Sequence, residues 1–230
     1  MRKKIDIITG SGPEAGIDLW QKILAENKAY LKDNFSGDLD APDVTIFSRP
    51  ELGLSMELEK NYDRVWKTVK IAVEEIVKHV DYFVIACNTL NVYQQKIKQL
   101  GLGHQFLSTL DVVKSYITTH QLSNIALLGA LPVLQMDKYS AFESLNQPFN
   151  IEVPKDFAAI HQLIYDIKQY GGEQQRIINE FQSIITGIKS EHILLACTEL
   201  PLVKIDKSDK KLIDVTDLLA EELIKKSFNV

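Results

Sequence analysis

The chain has 230 residues, 45% of them apolar and 25% charged, with a formal net charge of −5. This length can hold one large domain or two small ones, each with its own core. Lysines and acids are interspersed, so there is no basic footprint for nucleic acid and no polybasic block for a membrane surface. No apolar run is long enough to span a bilayer, and the short run after Met1-Arg-Lys-Lys is too brief for a signal core. The expected setting is the cytoplasm, where the two cysteines stay reduced.

Short apolar runs alternate with helical patterns along the chain. Strands are expected at Ile5–Thr9, Val44–Phe47, Tyr82–Ala86, Gln105–Ser108, Ile125–Leu128, Ile193–Ala196 and Leu212–Val215, with a weaker one at Phe149–Val153. The central runs are apolar at every position, as parallel strands covered on both faces require. A first helix starts at Pro13, with Ile17, Trp20, Ile23 and Leu24 on one face. A long stripe runs from Leu58 to Val77. Two more run from Phe157 to Ile167, ending at Gly171-Gly172, and from Ile177 to Ile185. Alternation of this kind predicts an α/β fold built on parallel sheets.

The chain also repeats itself. Lys4-Ile-Asp-Ile-Ile-Thr-Gly10 parallels Asn124-Ile-Ala-Leu-Leu-Gly-Ala130. Asp81-Tyr-Phe-Val-Ile-Ala-Cys87 parallels Glu191-His-Ile-Leu-Leu-Ala-Cys197, and the segment from Phe106 parallels the one from Leu212. Three correspondences in one order predict two similar domains related by a pseudo-twofold axis, with the site at their interface. Chance likeness among apolar strands is the alternative. The expected division is residues 1–109 plus 216–230 for one domain and 110–215 for the other.

Cys87 and Cys197 are the protein's two cysteines. An isolated cysteine is first read as a small buried hydrophobe. Equivalent places at two strand ends point instead to a cleft. Asn88, Thr89 and Thr198 follow the thiols and can hydrogen-bond a carboxylate. A thiol with an ordinary pKa of about 8.5 needs only a modest shift for acid–base work in both directions. The five histidines are scattered, and neither they nor the cysteines have zinc spacing, so no metal is expected. The turn Gly10-Ser11-Gly12-Pro13 can offer backbone amides to an anion. For a dinucleotide site its third glycine, Gly16, falls one place late, and Asp43 is too distant and precedes its strand. Arg49 could clamp a carboxylate or lie on the surface. Glu199 could set the field at Cys197 or cap a helix.

These motifs resemble the aspartate/glutamate racemase family, which uses no pyridoxal phosphate. The likeness covers Thr9-Gly10-Ser11-Gly12-Pro13-Glu14-Ala15, Cys87-Asn88-Thr89, Ala196-Cys197-Thr198-Glu199 and Leu212-Ile213-Asp214 through Ala220. It implies two α/β domains around a cleft and no cofactor. Cys87 and Cys197 would pass a proton onto opposite faces of an amino acid's α-carbon. Asn88, Thr89 and Thr198 would hold the substrate carboxylate, with Ser11 close by. Dimers are common in the family.

Several positions depart from the family pattern. Leu90-Asn91 replaces Ala-His after the first motif. Gly129-Ala130-Leu131-Pro132-Val133 lacks the expected hydroxyls. The distal-carboxylate arginine and lysine are missing from Leu54-Ser55-Met56 and Gly171-Gly172-Glu173-Gln174, leaving Arg49 as the candidate substitute. The expectation is therefore an amino-acid racemase with aspartate or glutamate as default substrate. The alternatives are a hydantoin racemase or related isomerase on a non-acidic substrate, and a non-catalytic binding protein of the same fold.

Overall fold

The structure, a computed structural model, describes residues 2–205 and 208–228. Seven strands form two parallel sheets. β1 (Ile5–Thr9), β2 (Val44–Ser48) and β3 (Tyr82–Ile85) make the first, in the order β2-β1-β3. β4 (Asn124–Gly129), β5 (Asn150–Glu152), β6 (His192–Ala196) and β7 (Lys211–Asp214) make the second, in the order β5-β4-β6-β7. Helices fill the connections: α1 (Pro13–Leu31), α2 (Leu58–Ile76), α3 (Gln94–Gln99), α4 (Thr109–Thr119), α5 (Leu131–Leu134), α6 (Phe157–Tyr170), α7 (Gln175–Thr186) and α8 (Val215–Ser227).

The sheets share one plan. β1 and β4 are central, and the two cysteine strands lie beside them. The expected strand at Gln105–Ser108 shrinks to one bridge, Phe106 to Phe83, in the position that β7 fills in the other sheet. The cause is local. The Ser108 side chain accepts the Asp111 amide at 3.1 Å and caps α4, so the chain turns helical at once. Val215 likewise leaves the expected strand and opens α8. Asp214 accepts the Thr216 amide at 2.8 Å there. In both places a capping side chain outweighs apolar strand propensity.

The core follows the period of two. In the first sheet Phe83 and Ile85 face α2, with Val65, Val69 and Val73 against them. Val84 and Ala86 face the other way, onto Leu19 and Ile23 of α1 and onto Leu219, Ala220 and Leu223 of α8. α8 therefore returns from the second sheet to lie against the first. β4 and β6 build the core of the second sheet with Leu163 and Ile164 of α6 and Phe181 of α7. Burying each such side chain contributes about 1.5–3 kcal/mol. No described helix is long and apolar enough to cross a membrane.

Candidate active site

Gly10 and Gly12 shape the turn after β1. Gly10 has φ +124°, and a Cβ there would lie 2.1 Å from the Arg49 carbonyl oxygen, so only glycine fits. Gly12 has an ordinary backbone, but a Cβ would lie 2.2 Å from Glu199 Oε1. Ser11, between them, is pressed into the interface. Its hydroxyl lies 3.3 Å from Cys87 Sγ and 2.6 Å from Ser55 Oγ, and Ser55 is itself 3.9 Å from the sulfur. Cys87 is buried within the apolar cluster beneath α2, and its sulfur also meets the two hydroxyls.

Cys197 stands at the matching strand end and is equally buried. Its thiol donates to Glu199 Oε2 at 2.9 Å, and the Thr198 hydroxyl donates to the same oxygen at 3.1 Å. Burial pushes the Cys197 thiol well up, and the Glu199 carboxylate pushes it further. Glu199 Oε1 pairs with Lys168 Nζ. Lys168, on α6, also donates to the Ser11 carbonyl at 2.8 Å. Burial opposes its charge, but Glu199 and then Cys197 outweigh that, so its pKa is raised. A continuous run of contacts thus joins the thiols across the two halves: Cys87, Ser11, Lys168, Glu199, Cys197. Both cysteines are free.

The sequence-derived candidates divide accordingly. Cys87, Asn88 and Thr198 line one small cavity of ≈ 10 Å³ between the halves. The larger grooves, of ≈ 1080 and ≈ 490 Å³, are lined by neither cysteine. Asn88 is buried with its Oδ1 unpartnered. Thr89 is buried at the start of the turn Thr89–Tyr93. Arg49 is not brought to the thiols. Its guanidinium lies over Phe47 and pairs with Glu75 at 3.4 Å, while its backbone amide bonds Thr9. Extended strand geometry sends it outward, and an exposed acid is there to meet it.

Asn91, which departs from the family pattern, has a structural task. Its Nδ2 donates to the Cys87 carbonyl at 2.9 Å and its Oδ1 accepts the Thr109 amide at 2.9 Å, pinning the first cysteine loop to α4. The segment Leu131-Pro132-Val133 forms the short α5, whose first amide donates to His161 Nδ1 at 3.2 Å. Among the described residues no three His, Cys, Asp or Glu side chains converge as metal ligands.

Two residues outside the sequence-derived candidates reach the interface: Lys168, three residues before Gly171 and paired with Glu199, and Ser55, in the segment where the pattern's arginine is missing. Lys168 left a signal in the sequence. His161, Tyr165 and Lys168 form a polar strip beside the apolar stripe of α6, a pattern that exposed helices also show. His161 and Tyr165 both turn toward Glu57 in the first half, at 3.6 and 3.4 Å.

Two parallel α/β halves thus each bring one strand-end cysteine to a shared interface. No protein-family model matches the chain. It is 27% identical over 227 residues to the broad specificity amino-acid racemase RacX of Bacillus subtilis, covering 96% of each chain. Its fold matches Picrophilus torridus aspartate racemase with a TM-score of 0.79 at 21% identity, covering 98% of this chain and 94% of that one. An aspartate racemase homologue from Pyrococcus horikoshii gives 0.74 at 20%, covering 99% and 100%. Glutamate racemase isoform RacE1 from Bacillus anthracis gives 0.67 at 16%, covering 99% and 83%. The chain therefore has the fold of the aspartate and glutamate racemases.

Proposed function

We propose that the protein is an amino-acid racemase that inverts the α-carbon with two thiols and no pyridoxal phosphate. The observation that carries this reading is the placement of Cys87 and Cys197. They occupy equivalent strand ends, their sulfurs meet polar groups, and both connect to one cross-interface network. One sulfur takes the α-proton while the other delivers a proton to the opposite face. Charge on the α-carbon is never fully developed without a donor at hand. Asn88, with its unpartnered Oδ1, and Thr198 line the cavity next to Cys87 and are assigned to the substrate's backbone groups. Thr89, buried beside Asn88 in the same turn, is assigned with them.

A cavity of ≈ 10 Å³ holds about one water, not an amino acid. The substrate therefore enters by parting the halves where Lys168 and Glu199 meet Ser11. The test is α-proton exchange in D₂O. Cys87→Ser and Cys197→Ser should each abolish racemisation. Full turnover in both variants would defeat the two-thiol reading.

A specific observation favours substrates with uncharged side chains over aspartate and glutamate. Lys168 is already neutralised by Glu199, and Arg49 is turned away. A second anionic group would meet a carboxylate and no spare fork, a loss of kilocalories relative to a bidentate clamp. Racemisation measured across acidic and neutral amino acids checks this. Turnover confined to aspartate or glutamate would reject it.

A further inference from the structure

We infer that Glu199 is a positioning residue that fixes the direction in which the resting site is charged, holding the proton on Cys197 and leaving Cys87 as the base. The inference deepens the two-thiol reading and rests on it, but its test needs no turnover. A two-base site must start with one thiol and one thiolate. Near-symmetric halves would not decide which. The local partners differ in kind. Cys87 faces the hydroxyls of Ser11 and Ser55, which can donate to a thiolate. Cys197 faces the Glu199 carboxylate at 2.9 Å, which can only accept. A thiolate there would sit against a second buried anion, whereas a thiol makes a charge-assisted hydrogen bond.

The other charged and titratable groups do not reverse this. Lys168 is felt by both sulfurs, and its Nζ is already held by Glu199 and the Ser11 carbonyl. Tyr93, near Cys87, donates its hydroxyl to the Tyr62 carbonyl and is held neutral by burial. The turn of Gly12 brings its backbone against Glu199, which is why that position cannot carry a side chain without moving the carboxylate.

In one turnover the Cys87 thiolate removes the α-proton and the Cys197 thiol gives its proton to the opposite face. The site is then left with a Cys87 thiol and a Cys197 thiolate. The proton balance closes without any further reactant. The thiolate beside Glu199 is the higher-energy form, so the free site relaxes by returning a proton from Cys87 to Cys197 through solvent.

The experiment maps alkylation by iodoacetamide at each cysteine from pH 6 to pH 10 by mass spectrometry, without substrate. The sulfurs' residues are 8% and 7% exposed, so access alone predicts equal rates. The expected wild-type result is Cys87 labelled at least tenfold faster at neutral pH, with Cys197 catching up only toward the alkaline end of the range. Glu199→Gln should lower the Cys197 midpoint by about one unit or more and reduce the preference about tenfold. Glu199→Asp should keep the wild-type order. Equal labelling in the folded wild type, or an unchanged Cys197 midpoint in a folded Glu199→Gln variant, would overturn the inference. If the glutamine variant unfolds, the wild-type rate ratio and the aspartate variant decide. Failure here with intact deuterium exchange leaves the racemase reading standing. Loss of exchange with the labelling order intact does the reverse.

Discussion

Lys168→Met is the perturbation that probes the interface most directly. Lys168 is 21% exposed and Glu199 7% exposed as side chains, so the pair is largely out of water. Methionine preserves the stem's volume but removes the cation. Glu199 is then left as a buried carboxylate next to the Cys197 thiol, and the Ser11 carbonyl loses its donor. Breaking one side of a buried pair costs about 3–5 kcal/mol. For a chain of this size that corresponds to a fall in Tm of roughly 6–20 °C. Denaturant unfolding of the variant, of Glu199→Gln and of the double variant measures the effect. The double variant should recover stability, with a coupling of about 2 kcal/mol or more. A single variant within 1 kcal/mol of wild type, or strict additivity, would refute the bridging role.

Gly12→Ala should misplace Glu199, because the new methyl group would sit within 2.2 Å of its Oε1. A destabilisation of about 1–3 kcal/mol with loss of racemisation is expected, read by thermal unfolding and turnover together. Lys22 serves Asp18 and Asp214 and ties α1 to the end of β7. Lys22→Gln should cost about 3 kcal/mol near pH 7. The deficit should ease as pH falls, because burial already pushes the Asp214 carboxyl up and the lost cation pushes it further; a pH-independent deficit in unfolding curves would contradict this. Arg49→Ala should leave racemisation within roughly twofold, since an exposed pair contributes about 0–1 kcal/mol. A tenfold fall in kcat/KM would place that side chain in the cleft after all.

The placing of both thiols needed no coordinates. Each cysteine ends an apolar run flanked by the same alanine, and the carboxyl ends of parallel strands are where an α/β sheet opens a crevice. The shared plan of the two sheets was likewise readable from the repeated strands, because strand pairing follows their apolar pattern. Asn91 looked like a defect in a motif and proved to be the residue that fastens the Cys87 loop to α4.

Tertiary structure alone decided which charges reach the thiols. Arg49 has its backbone against Gly10 of the first-strand turn and its side chain turned outward, whereas Lys168 is 157 residues from Ser11 and bonds its carbonyl. The physical reason is one of range. Apolar period and capping act over a few residues and write themselves into local sequence. An ion pair across two halves depends on how their surfaces meet, which neither helix nor strand encodes by itself.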